Sequence, residues 1–148
     1  MINMADQASQ TVIVGATPEQ CFAVASDFER YPDWAHDVKE ATVVSRDSQG
    51  RATEVEFRTS ALGRSTHYTL SYDYSQAPRT MSWHMVKGDI MRAIDGAYTF
   101  SPASGGGTEV TYTLSIELIV PLPGFVKRRA EVRIVNSVRD LKARVEAA

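Results

Sequence analysis

Apolar and polar positions change period along this chain. From Gln10 to Gly15 the run QTVIVG is rich in β-branched residues, which predicts a strand. Gly15 and Thr17-Pro18-Glu19 then supply a turn and a helix start, since Thr17 can cap the first free amides and Pro18 suits the first helical position. PEQCFAVASDFERYPDW predicts a short helix over roughly Pro18 to Ser26, with Phe22 and Ala25 on one face, and a second broken turn ending near Pro32.

Beyond Pro32 the period becomes two. In TEVEFRT (53 to 59) Val55 and Phe57 alternate with Glu54, Glu56 and Arg58, as in a strand with one wet face. HYTLSYDY puts Tyr68, Leu70, Tyr72 and Tyr74 on one side and His67, Thr69, Ser71 and Asp73 on the other. MSWHM contributes Met81, Trp83 and Met85, and TEVTYTLSIEL contributes Val110, Tyr112, Leu114, Ile116 and Leu118. Turn residues at 61 to 64, 76 to 79, 87 to 89 and in PASGGG (102 to 107) separate these runs, as a meander of antiparallel hairpins requires. With VKEATVVS (38 to 45) the expectation is about seven strands.

Pro121, Pro123 and Gly124 end the sheet pattern, and Phe125 to Glu146 contains no Gly or Pro, which allows a helix of about six turns. Ala130, Ile134, Val138, Leu141 and Val145 fall on one stripe, with Arg128, Arg129, Arg133, Arg139 and Arg144 off it. Such a stripe needs a sheet to cover.

The chain has 148 residues, 43% hydrophobic and 23% charged, which predicts one α+β domain over 1–148. Sixteen basic against 18 acidic side chains leave a net charge of −2, so there is no overall positive field to hold nucleic acid or an acidic membrane. A lone cysteine, Cys21, allows neither an internal disulfide nor a multi-thiolate metal site and suits a reducing compartment. No apolar run is long enough to span a bilayer, and the opening MINMADQASQ lacks a signal-like pattern, so the expected location is the cytoplasm, without stable membrane insertion.

Several segments, in order and spacing, are similar to a known family. They are A-T-P-E-Q-C-F (16 to 22), Asp27 with Tyr31-Pro32-Asp33-Trp34, D-G-A-Y-T-F-S-P (95 to 102), G-T-E-V-T-Y (107 to 112), P-L-P-G-F (121 to 125) and L-K-A-R-V-E (141 to 146). Over essentially the whole chain the sequence resembles the polyketide cyclase/dehydrase family of the START-like (helix-grip, SRPBCC) lipid-transfer superfamily. The resemblance implies a bent antiparallel sheet gripping the long C-terminal helix, two short helices after the first strand, and a hydrophobic cavity between sheet and helix. It implies no single reaction, because the superfamily holds aromatase/cyclases, lipid and quinone carriers and small regulators.

Pairing the hairpins places Phe57, Leu70, Tyr72, Tyr74, Trp83, Met85, Ile94, Tyr98, Tyr112, Leu114 and Ile116 on the concave face, opposite Ile134 and Val138 of the helix. The plain alternative is a filled core. The abundance of Tyr and Trp favours a cavity wall, since each polar tip in a closed core must find a partner. Lys127 and Glu131, four apart on the inner stripe, and Arg92, inward by alternation with Ile94, form a polar cluster at the rim. That cluster is either a hydrated ion pair or the means of orienting a carbonyl or carboxylate head group.

Other chemistry finds little support. His67 and His84 alternate onto the convex face, and His36 lies in a loop near the cavity; with no carboxylate at ligand spacing, no metal site is expected. Cys21 beside Phe22 fits a core thiol. Gly105-Gly106-Gly107 joins two strands and opens no helix, so no nucleotide fingerprint exists and no cofactor is expected. Lys127-Arg128-Arg129 with Arg133 is a solvated helix face, or a surface for transient contact with a membrane or a partner. The expected function is therefore binding or carriage of a hydrophobic small molecule, whether lipid, quinone or polyketide-like. The alternative is an aromatase/cyclase acting on a poly-β-ketone. Aromatase/cyclases of the family carry an inward arginine on the fourth strand where this chain has Tyr74, and an ordinary phenol near pKa 10 is a weak acid to replace it.

Overall fold

A computed structural model describes residues 6–61, 64–118 and 136–147. The chain runs through β1 (Asp6–Val14), α1 (Pro18–Ala25), a 3-10 turn (Phe28–Arg30), α2 (Tyr31–Trp34), β2 (Val38–Arg46), β3 (Ala52–Ala61), β4 (Arg64–Asp73), β5 (Thr80–Gly88), β6 (Met91–Pro102) and β7 (Thr108–Leu118). A final helix, α3, covers 136–146. The first half of the helix expected over Phe125 to Glu146, with Lys127, Glu131 and Ile134, lies outside the described residues.

The seven described strands form one antiparallel sheet in the order β1-β7-β6-β5-β4-β3-β2. The chain leaves one edge after β1, passes through α1 and α2 to the opposite edge, and returns strand by strand. One crossover therefore sets both short helices on the same face of the sheet, against Phe57, Tyr72, Tyr74 and Phe100. The fold is the expected helix-grip arrangement.

Local chemistry explains the entry to that crossover. The Thr17 hydroxyl accepts the Gln20 amide at 3.1 Å while the Gln20 side chain accepts the Thr17 amide at 2.8 Å, so two orphan donors are satisfied and the first turn is fixed. Cys21 and Ala25 then face inward, fully buried. Burial also pushes the Cys21 thiol above its usual pKa, as suits a packing residue. The loop between β6 and β7 passes close to the end of β1: Gly107 sits at φ +78°, and a Cβ there would run into the Val14 carbonyl oxygen. Only glycine fits.

Val138, Leu141 and Val145, spaced as one stripe of α3, are buried, and Leu141 and Val145 share a cluster with Val14, Phe100 and Val110 of the sheet. Each such side chain contributes roughly 1.5–3 kcal/mol through the apolar surface it withdraws from water. Polar contacts fix the end of the helix. The Glu146 carboxylate accepts the Gly15 amide at 2.7 Å, and the Lys142 ammonium donates to the Ile13 carbonyl at 2.9 Å. α3 is thereby tied to the turn that follows β1.

Candidate functional site

Alternation along β4, β5, β6 and β7 sends at least one ring from each strand to the inner face. The Trp83 ring centroid lies 5.8 Å from that of Tyr72, 5.6 Å from Tyr98 and 5.7 Å from Tyr112, and Tyr98 and Tyr112 meet edge to face at 4.8 Å. Gly96 stands directly across from Trp83 in the ladder, so the indole has no side chain beneath it. Phe28 extends the aromatic layer toward β3, 4.4 Å from Tyr72 and 6.2 Å from Phe57.

The polar tips of these rings divide into two groups. Tyr74 donates to the Ala52 carbonyl at 2.6 Å and Tyr31 donates to the Ala25 carbonyl, so both hydroxyls are committed to structure. Tyr72, Tyr98 and Trp83 form no side-chain hydrogen bond among the described residues. Yet no fully enclosed side-chain nitrogen or oxygen among the described residues lacks a partner. These three tips therefore keep some accessible surface, in keeping with the small exposure their residues retain, 9% for Tyr72, 4% for Tyr98 and 7% for Trp83. An unpaired donor sealed inside protein costs about 1–3 kcal/mol, which is the physical reason such tips are left an opening.

Burial pushes the hydroxyls of Tyr72 and Tyr98 well above the usual phenol range, with neighbouring tyrosines adding to the shift. Both remain protonated near neutrality and present O–H donors. Burial also dominates at Tyr74, pushed up to about 12 against the opposing effect of Arg51, whose guanidinium lies 4.9 Å from the ring centroid.

The expected wall residues gather on one face. Phe57, Leu70, Tyr72, Tyr74, Trp83, Ile94 and Tyr98 are buried, and Met85, Tyr112, Leu114 and Ile116 are partly buried against the same cluster. Val138 is buried on α3. Tyr74 continues the inward alternation just past the end of β4, buried in the same cluster, with its hydroxyl donated to the Ala52 carbonyl. One expectation needs correction. Arg92 does not point inward: it is exposed and pairs with Glu117 at 3.3 Å. A register shift between Met91 and Ala93 reverses the parity there, so Met91 and Ile94 both turn inside. Lys127, Glu131 and Ile134 fall outside the described residues.

His67 and His84 are exposed, as alternation predicts. His36 is held by a partner far along the chain, the Asp140 carboxylate of α3, 2.8 Å from Nδ1. Periodicity also misses Phe28 and Tyr31 as wall residues, because they come from a 3-10 turn and a one-turn helix. The only available signal is the density of aromatics in DFERYPDW.

A family model described as polyketide cyclase / dehydrase and lipid transport matches residues 5–146. A solved START superfamily protein from Mycobacterium smegmatis is 26% identical, covering 95% of this chain and 97% of that one with a TM-score of 0.87. The Zhui aromatase/cyclase from Streptomyces sp. R1128 is 14% identical, covering 96% and 94% with a TM-score of 0.80. The di-domain ARO/CYC protein StfQ of the steffimycin biosynthetic pathway is 10% identical, covering 97% of this chain and 52% of that one with a TM-score of 0.78. No curated protein matches the chain.

Proposed function

The chain belongs to the polyketide cyclase / dehydrase and lipid transport family, and we propose that within it this protein binds and carries a hydrophobic small molecule between its sheet and its C-terminal helix. The observation that carries the reading is the set of three donor tips, on Tyr72, Tyr98 and Trp83, that have no hydrogen-bond partner among the described residues within an otherwise apolar and aromatic layer. Withdrawal of apolar ligand surface from water, at about 25 cal/mol per Å², is the driving force. Donors without local partners select a ligand that offers acceptors, such as the carbonyl or ether oxygens of a quinone, a lipid ester or a polyketide-like ring system. The wall consists of Phe57, Leu70, Tyr72, Trp83, Met85, Ile94, Tyr98, Tyr112, Leu114 and Ile116, closed by Val138. Lys127 and Glu131 remain the candidates for a polar rim. The single buried thiol, Cys21, supports a reducing compartment, the cytoplasm.

Catalysis of aromatic ring closure is the weaker reading. It needs an acid in the interior, and the phenols of Tyr72 and Tyr98 hold their protons more tightly than an ordinary tyrosine. The Tyr74 hydroxyl is already engaged, and Arg92 lies outside. The relatives named as aromatase/cyclases, at 14% and 10% identity, share the fold and nothing more specific.

Native mass spectrometry of freshly purified protein tests the reading. The expected spectrum contains a species heavier by one small organic molecule that is lost on denaturation. If all charge states carry the bare chain mass, and added neutral lipids or quinones produce no adduct, carriage of such a ligand is ruled out.

A further inference from the structure

We propose that Gly96 sets the size of ring system the interior accepts, by giving the Trp83 indole a seat on the floor of β6. A Cβ placed on Gly96 would lie 2.6 Å from three atoms of the indole, Cε2, Cζ2 and Nε1. Ordinary contact needs about 3.5–4.0 Å. The indole therefore rests against the bare backbone, closer to the strand than any L side chain at position 96 would permit.

Among the described residues Tyr72, Tyr98 and Tyr112 flank it at 5.6 to 5.8 Å between centroids. A methyl group at position 96 would therefore lift the ring system away from β6, into the layer that these three rings surround. The indole is rigid, so the shift moves the whole plane. Bulky ligands lose their place while small ones keep it, which makes Gly96 a determinant of ligand size without requiring it to touch the ligand's polar groups.

The same relationship predicts the reverse change from the other side. Trp83→Leu ends the side chain one bond beyond Cγ, deepens the space, and removes all three atoms that a Cβ would strike. Gly96→Ala should then be tolerated in the Trp83→Leu background.

This proposal rests on the interior being a binding site, and the test separates the two. Two neutral aromatic probes are titrated, the smaller 1-naphthol and the larger N-phenyl-1-naphthylamine, with circular dichroism and thermal midpoint recorded for each variant. Gly96→Ala is expected to weaken the larger probe at least tenfold while the smaller changes by less than about twofold. Trp83→Leu should shift the affinity ratio at least threefold toward the larger probe, and adding Gly96→Ala to Trp83→Leu should change neither affinity by more than twofold. If Gly96→Ala alone does not fold, the Trp83→Leu pair of proteins carries the test. Equal weakening of both probes, or the same loss with and without Trp83, overturns the role of Gly96 and leaves the binding site standing. Failure of the unaltered protein to bind either probe overturns the binding site and the role of Gly96 together.

Discussion

The Asp140 carboxylate of α3 accepts both the ring and the backbone of His36: Nδ1 lies 2.8 Å from Oδ2, and the His36 amide donates to the same oxygen at 3.2 Å. A carboxylate accepts only, so Nδ1 carries the proton in this contact. The pair joins the segment after α2 to the C-terminal helix across 104 positions of sequence. The imidazole side chain is 84% exposed and that of Asp140 15%, and both the ring and the amide contact lie where solvent screens them. Asp140→Ala removes both and should lower stability by roughly 1–1.5 kcal/mol. His36→Ala keeps the amide and should cost less than about 1 kcal/mol. Chemical denaturation of both variants checks the order; equal costs would contradict it.

Leu141 has no exposed surface and packs with Val14, Phe100 and Val110. Leu141→Ala is expected to destabilise the protein by about 2–5 kcal/mol, through lost burial plus the cavity left behind. Arg139, exposed on the same helix, is the control, and its replacement by Ala should stay within about 0.5 kcal/mol.

Glu146 gives stability a defined pH dependence. The Lys142 side chain, and after it the Gly15 amide, hold its carboxyl below the ordinary glutamate value. A carboxyl with a depressed folded pKa contributes fully above its unfolded value, about 4.3, and loses that contribution as pH falls through the folded value. The thermal midpoint of the unaltered protein should exceed that of Glu146→Gln at pH 7, and the gap should narrow between pH 4 and pH 2. A gap constant across that range would contradict the assignment.

Two groups of tyrosine hydroxyls should respond differently to removal. Tyr74→Phe breaks a buried bond to the Ala52 carbonyl and should cost about 1 kcal/mol or more of stability with little effect on ligand affinity. Tyr72→Phe and Tyr98→Phe break no bond among the described residues and should leave stability nearly unchanged. They should instead weaken an acceptor-bearing ligand by roughly 0.5–1.5 kcal/mol, up to about tenfold in affinity. Paired denaturation and binding curves separate the two groups.

Sheet order and the inward-facing set of side chains were legible because an antiparallel meander writes itself as period-two alternation between turn signals, and hairpin succession fixes which strands are neighbours. Arg92 was misplaced for a local reason: a bulge between Met91 and Ala93 adds one residue to β6, and parity counted from Ile94 then points the wrong way. Tyr74 kept its phase past the end of the strand, and nothing in the sequence showed that its hydroxyl would be committed to the buried Ala52 carbonyl. The His36–Asp140 contact left no trace in the sequence, since neither residue is unusual in its own segment and only the folded chain brings them together. The seat of Trp83 on Gly96 was visible only as a glycine within a strand; which ring it receives depends on register.

A ligand that enters the layer around Trp83 must change the emission of that indole. In a Trp34→Phe protein Trp83 is the sole tryptophan, and its emission can be followed while neutral N-phenyl-1-naphthylamine is added. Saturable quenching of Trp83 with one probe per chain is expected, accompanied by enhanced probe emission, and both should be reversed by an unlabelled quinone or lipid ester. Unchanged Trp83 emission in a folded protein, or probe binding that never saturates and persists after Trp83 and Tyr98 are replaced, would contradict binding in that layer.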